Sequence, residues 1–428
     1  MIQNPLIEKA AKFLPKSTLK KGFWAVLDQG LFAGSNFFVG ILLARWMNNE
    51  SYGGFSIAYS TFLFIGAIHT AFISEPMTVY GSGTYQQNLH SYKELIERKH
   101  WLWTITTSIL LLIPTIYYYN INEQIIAESL LGLALSGPCI LHLWIYRKIC
   151  YILNIPHLAA IGGIIYMAIF LITITTSKHY IIVTPFISLS LMGASSLIAS
   201  NFIKRQLPIY RTTNDSLNNI EVTTKHYNYG KWALLASISA WIPANVYNFI
   251  IPISGDLSAV GSLKALMNLL MPILHFNAAI TSLIIPNFVR YIKNNTINKN
   301  FKIISMYIMS ISLLYWLILF IYGERIGYSL YAGRYTFDKT LFLLLGIIPI
   351  LSSQINIYTS YLRAKDMPHA FSKAFLIGGI ITVLIGGPLS LLYKEKGAII
   401  SIIITNTVLI LLLWHQKIRI QEPNHIKL

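Results

Sequence analysis

The sequence predicts an all-α polytopic membrane protein of about twelve transmembrane helices in two six-helix lobes. Three observations carry that expectation. Apolar residues fall in blocks of about twenty, the length a helix needs to cross roughly 30 Å of hydrocarbon. Charged side chains make up 11% of the 428 residues against 54% hydrophobic ones, a balance that soluble domains do not normally show. Lysine and arginine gather in alternate connectors, the pattern of a chain threaded repeatedly through a bilayer.

Taken in order, residues 1–21 are too polar for a signal peptide. Leu6, Ile7, Ala10, Phe13 and Leu14 recur at helical spacing against Lys9, Lys12 and Lys16, with Asn4-Pro5 as a start and Pro15 as a stop. A short amphipathic helix on the cytoplasmic leaflet is the reading. The N-lobe, 22–203, holds spans at 22–45, 52–75, 100–119, 126–146, 157–176 and 181–203. A polar connector at 204–230 then serves as a cytoplasmic linker. The C-lobe, 231–415, holds spans at 231–252, 259–285, 301–322, 339–361, 372–393 and 397–415, and a cytoplasmic tail follows at 416–428.

Counting along this series, 25 of the 33 basic residues lie on the side of the N-terminus, which places both termini in the cytoplasm and the chain in the inner, cytoplasmic membrane. Most tryptophans agree, with Trp24, Trp46, Trp101, Trp103, Trp144, Trp232 and Trp414 near span ends, where the amphipathic ring prefers the headgroups. The net charge of +17 is scattered over short connectors. Its counter-charge is therefore membrane lipid and not nucleic acid. Cys139 and Cys150, eleven apart, read as two buried thiols.

The halves echo each other at a shift of 208 positions: Gly22-Phe23-Trp24-Ala25 falls on Gly230-Lys231-Trp232-Ala233, and Gly53 on Gly261. Pro76 and Pro286 close the second helix of each half, and Pro156-His157 and Pro368-His369 precede the fifth, with Gly162-Gly163 and Gly378-Gly379 beyond. Six is an even number, so duplicated halves enter the membrane in the same orientation. Such parallel repeats imply an axis along the membrane normal with a substrate path between the halves.

Enzyme motifs are absent: there is no phosphate-binding G-x-x-x-x-G-K-[ST], no H-E-x-x-H, no Cys-x-x-Cys, and no outer connector long enough for a catalytic domain. No cofactor is expected. The informative residues are polar ones inside apolar blocks, where a charge costs on the order of 2.5–3.5 kcal/mol. Lys264, Asn268 and His275 fall within about 40° of arc at 100° per residue, beside Met271 and Pro272, and read as the lining of a wet cavity. The competing reading lets Lys264 snorkel to the interface. Asp28 and Glu75 are candidates for H⁺ or Na⁺ coupling, or for pairing with a base such as Arg147. His69 and His142 read as packing residues. Pro138, Pro243, Pro272 and Pro349 bend their helices.

The run LDQGLFAGSNFFVGILLARWMNNESYG from Leu27 to Gly53 has a first helix ending in Leu43-Ala44-Arg45, a short acidic turn and Tyr52-Gly53. With SEPMTVYGSGTY from Ser74 it resembles the polysaccharide-exporter branch of the multidrug, oligosaccharidyl-lipid and polysaccharide exporter superfamily, to which O-antigen flippases belong. The resemblance implies a MATE-like fold and a polyprenyl-diphosphate-linked oligosaccharide as substrate, moved outward for O-antigen, capsule or exopolysaccharide synthesis. It also implies a polysaccharide polymerase and chain-length machinery as partners. Arg45, Lys264 and Arg290 are the basic residues it offers to the diphosphate, since Arg presents a bidentate fork and Lys a point charge. A cation-coupled multidrug exporter and, from another class, a non-transporting scaffold or glycan polymerase are the alternatives.

Overall fold

The structure, a computed structural model, describes residues 16–208, 217–294, 296–335, 337–365 and 367–421, and every regular element among them is helical. The expected surface helix before Pro15 and the last residues of the tail lie outside the described residues. In chain order the first half contains α1 (Lys16–Trp46), α2 (Asn49–His69), a π turn (Thr70–Ser74), α3 (Glu75–Ser82), α4 (Leu89–Asn120), α5 (Gln124–Ile152), α6 (Pro156–Tyr180) and α7 (Pro185–Gln206). The second half contains α8 (Asn219–Asn245), α9 (Tyr247–Ile250), α10 (Leu257–Lys293), α11 (Ile297–Tyr331), α12 (Lys339–Leu345), α13 (Ile347–Ala364), α14 (Pro368–Ile381), a second π turn (Thr382–Gly386) and α15 (Gly387–Gln421).

Among the described residues ten stretches are long and apolar enough to cross a membrane, and α8 with Tyr247–Ser254, bent by 58°, makes an eleventh. The last of the ten, Phe371–Arg419, is 49 residues long, more than twice what one crossing needs. It doubles back at Lys394, whose φ of 48° and ψ of −127° are not helical. Thr382 Oγ1 and Thr405 Oγ1 meet at 3.0 Å, and a Cβ on Gly386 would stand 1.9 Å from Ser401 Oγ. Small residues let the two arms close in this way, as they do wherever helices pack without a hydrophobic driving force. Taking the two arms as separate crossings gives twelve passes among the described residues, and the expected spans overlap them, although 181–203 begins before the helix that opens at Pro185.

Helix ends differ from the sequence expectation because apolar length marks only the hydrocarbon layer. The clearest case is α8, which begins at Asn219 inside the stretch expected to be linker. Asn218 Oδ1 accepts from the amides of Ile220 and Glu221, at 3.0 and 3.4 Å, and so caps the helix. Both fifth-helix equivalents, α6 and α14, open on a proline at a position where the missing N–H costs nothing.

The chain divides into two compact units. One comprises the described residues up to Phe38 together with Thr61–Leu234, the other Val39–Ser60 together with the residues from Leu235 on. The α1–α2 turn thus groups with the second unit, and the first turns of α8 with the first. In the first unit α5 and α7 approach until a Cβ on Gly193 would lie 2.8 Å from Ser136 Cα. Pro138 deprives the Ala134 carbonyl of its helical donor, and Ser108 Oγ of α4 replaces it at 2.7 Å.

In the second unit the α1–α2 turn is held by close backbone approach. A Cβ on Gly53 would sit 2.1 Å from the Leu257 carbonyl, and one on Gly261 would sit 2.4 Å from that of Asn49. These two glycines are equivalent in the sequence repeat, and here they are neighbours. Tyr52 Oη donates to the Gly40 carbonyl at 3.1 Å, and Asn248 Nδ2 to Ser60 Oγ at 2.7 Å. A core of Phe288, Phe301, Ile357, Tyr361, Leu362 and Leu413 also belongs to this unit.

Candidate functional site

In the second unit Lys264 and Asn268 lie on successive turns of α10 and face α2. Lys264 is half-buried, and its ammonium stands over the Tyr59 ring, 5.1 Å from the centroid. A cation over an aromatic face gains about 0.5–2 kcal/mol, more where water is excluded. Asn268 is fully buried, donating through Nδ2 to Tyr52 Oη at 2.7 Å, while its Oδ1 has no partner among the described residues. A buried amide oxygen left unpaired costs on the order of 1–3 kcal/mol. His275, on the same helix, is exposed. Arg45, at the end of α1, is also exposed, and its carbonyl accepts from Arg334 Nε at 2.6 Å. The side chain of Arg290 lies outside the described residues.

In the first unit Asp28 is 1% exposed and fully engaged. Arg147 of α5 grips it with both arms, Nε to Oδ1 at 3.0 Å and Nη2 to Oδ2 at 2.8 Å. Tyr151 Oη adds a bond to Oδ2 at 2.6 Å and Gln29 Nε2 one at 3.3 Å, and the guanidinium lies 4.5 Å from the centroid of the Phe32 ring. A bidentate, aromatic-backed pair of this kind holds its charge against desolvation. A proton or a cation could bind Asp28 only by displacing Arg147.

Glu75 stands elsewhere in the unit, immediately after the π turn that re-aims α3. It lines a cavity of about 550 Å³ with Tyr80, Asn228, Tyr229, Trp232 and Ala233. Three aromatic rings beside one carboxylate form a surface suited to a positively charged, partly apolar ligand.

A third polar group was not legible as a site from the sequence. Glu97 of α4 accepts from Lys204 Nζ at 2.6 Å and from Tyr146 Oη at 3.0 Å, and its Oε1 lies 3.3 Å from His142 Nε2. The His142 and His100 rings stack at 5.4 Å between centroids, and His100 Nδ1 meets His69 Nε2 at 3.0 Å. Two of these histidines were expected only to pack, one at a time. What gathers them is the proximity of α2, α4 and α5, which no spacing along one helix reveals. No set of three or more His, Cys, Asp or Glu among the described residues is placed to hold a metal ion.

No protein-family model matches the chain, and no curated protein matches its sequence. Solved structures do share its fold. An inward-facing multidrug resistance MATE family transporter of the MOP superfamily aligns with a TM-score of 0.69 at 14% identity, over 93% of this chain and 98% of that one. The lipid II flippase MurJ, in an inward closed conformation, aligns with a TM-score of 0.64 at 16% identity, over 94% and 87%. A MOP superfamily transporter from Pyrococcus furiosus aligns at 0.62 and 13% identity, over 95% and 96%. At such identities the likeness speaks for fold. The chain is a multi-pass membrane protein with the fold of MOP-superfamily transporters, and these structural neighbours are transporters and not enzymes.

Proposed function

We propose that this chain is a secondary transporter that flips a polyprenyl-diphosphate-linked oligosaccharide from the cytoplasmic to the outer leaflet of the cytoplasmic membrane, with both termini in the cytoplasm. The observation that carries the reading is Lys264, an ammonium set within an apolar helix beside an unpartnered Asn268 carbonyl. Such a pair offers a point charge to a phosphate oxygen and an acceptor to a sugar hydroxyl. A lysine in the membrane-spanning part of a helix marks a substrate path by default. The fold shared with a lipid II flippase, together with the run from Leu27 to Gly53, supports a lipid-linked substrate over a soluble one.

No nucleotide or cofactor is needed to drive the step. Moving two negative charges outward across about 100 mV, inside negative, is favourable by roughly 4–5 kcal/mol. An H⁺ or Na⁺ gradient adds to this where a coupling site exists. A polysaccharide polymerase and chain-length machinery would receive the product at the outer leaflet.

The test replaces Lys264 and Arg45 together by alanine and measures surface polysaccharide in a deletion strain complemented with the variant. Export is expected to fall at least tenfold with the protein still in the membrane. Undiminished export would sink the assignment. The Glu75 cavity favours a second reading, export of amphipathic cations. That reading gains if deletion sensitises cells to cationic dyes and leaves polysaccharide intact, with Glu75→Gln reproducing the effect.

A further inference from the structure

The cluster around His142 has a property that packing alone does not explain. Ser200 Oγ lies 3.0 Å from His142 Nδ1 and also 3.0 Å from the Leu197 carbonyl, to which it donates. A hydroxyl has one hydrogen, so it serves one of these two acceptors at a time. On the other side of the ring, Glu97 accepts from Lys204 and Tyr146, which marks it as an ionised carboxylate and makes His142 Nε2 the donor toward it. Two states are therefore open with the heavy atoms unmoved, and they differ in which acceptor the Ser200 hydroxyl serves. In one, Ser200 donates to Nδ1 and His142 is neutral. In the other, Ser200 donates to Leu197, Nδ1–H donates to Ser200, and His142 is an imidazolium paired with Glu97.

We propose that His142 is a proton-binding site, loaded and unloaded by rotation of the Ser200 hydroxyl, and that its occupancy couples transport to pH. The site is new relative to the Asp28 and Glu75 candidates, and Asp28 is already neutralised by Arg147. The charged and titratable groups around it are Glu97 and His100 of α4, Tyr146 of α5, Lys204 of α7 and, behind His100, His69 of α2. Glu97 supplies the counter-charge, and Lys204 competes for it. The Trp101 ring, 4.8 Å from His142 between centroids, offers a π face to the cation. A second charge on His100 would stack against the first, so the cluster holds one proton.

Access is through the end that bears Lys204, whose side chain is 46% exposed, and Glu97, 15% exposed, while His142 itself is 2% exposed. Inward of His142 the ring of His100 is stacked on it, and its hydrogen bond runs to His69. A proton arriving from the wet end is therefore held at His142.

The site rests on its own geometry, and only its consequence for transport rests on the flippase reading. The full chain, labelled with ¹⁵N-histidine in liposomes, would be followed by solid-state NMR from about pH 8 to about pH 5, the window in which histidines charge. A ring signal absent from His142→Gln is expected to pass from a neutral tautomer to imidazolium. Glu97→Gln, and Ser200→Ala, which removes a single oxygen and tests the site without altering the histidine, are each expected to lower its imidazolium-to-neutral ratio about tenfold at a given pH. A signal that stays neutral throughout, or that titrates in both variants as it does in the parent, overturns the site. Transfer of lipid-linked oligosaccharide in the same liposomes should depend on pH in the parent and not in His142→Gln. Equal pH dependence in both overturns the coupling. Absence of transfer from both sinks the flippase reading while the spectra still decide the site.

Discussion

His226 replaces the hydrogen-bond donor that Pro76 lacks. Phe72 lies in the π turn, and the amide four residues on, the one an α-helical carbonyl would take, is missing because that residue is proline. His226 Nδ1, from α8, donates to the Phe72 carbonyl at 2.9 Å. Because a carbonyl only accepts, this bond fixes the tautomer, and Nε2 is left to accept from Tyr92 Oη at 2.6 Å. A glycine nearby permits the approach: a Cβ on Gly230 would stand 2.2 Å from the Phe72 ring. The start of α8 is thereby tied to α3 and α4 and shapes the cavity that Glu75 lines.

Replacing His226 by alanine leaves two buried groups unpaired at about 1–3 kcal/mol each. Thermal unfolding in detergent should show a loss of about 2 kcal/mol or more. In a Pro76→Ala background, where an amide is restored, the loss should shrink. Identical losses in both backgrounds would separate the two residues.

At the Gly53–Gly261 contact the obstacles are backbone atoms, which cannot rotate away. Gly53→Ala and Gly261→Ala should each destabilise the protein by about 1–3 kcal/mol, as overpacking does. Gly34, with nothing within 4 Å of a built Cβ, is the control. There alanine should be neutral or stabilising by up to about 1 kcal/mol. Indistinguishable melting of all three variants would show that the approach is not close.

Breaking the Asp28–Arg147 pair by Arg147→Leu strands a buried carboxylate at a cost of about 3–5 kcal/mol. Asp28→Asn combined with Arg147→Leu should recover most of that loss in the same melting assay. A double variant less stable than either single one would mean that the pair is not isolated from its neighbours.

The alternation of basic connectors has a directional consequence. Single cysteines at Arg205 and Arg363, in a chain with Cys139 and Cys150 replaced, should be shielded from an impermeant maleimide applied outside. Cysteines at Lys178 and Lys339 should react. If all four behave alike, the alternation of sides is wrong.

Asp338 caps α12, accepting from the Thr340 amide and from Lys396 Nζ, both at 3.2 Å. The amide first and the ammonium second hold its carboxyl below the ordinary carboxylate range. With the folded value depressed, the contribution is complete above the unfolded value of about 4 and is lost as pH falls through the folded one. Stability should fall with acid less steeply in Asp338→Asn than in the parent. Parallel acid profiles would remove Asp338 from the account.

What could be read from the residues in order was whatever depends on local length and composition. Crossing hydrocarbon requires about twenty apolar residues that satisfy their own backbone, so the number of passes, the helical class and the prolines that open α6 and α14 all follow from the chain itself. Helix ends did not follow, because α8 begins among polar residues that Asn218 caps and His226 anchors. Lys264 and Asn268 were visible as polar residues in an apolar block, but Tyr59 and Tyr52, which receive them, were not.

Only the tertiary structure decided which helices meet. It paired Asp28 with Arg147, set Gly53 against its own repeat partner, and gathered His69, His100, His142 and Glu97 from three helices. In a bilayer every helix is apolar outside, so hydrophobicity selects the elements but not their neighbours. Close approach of small residues and the pairing of scarce polar groups make that choice, and both depend on positions far apart in the chain.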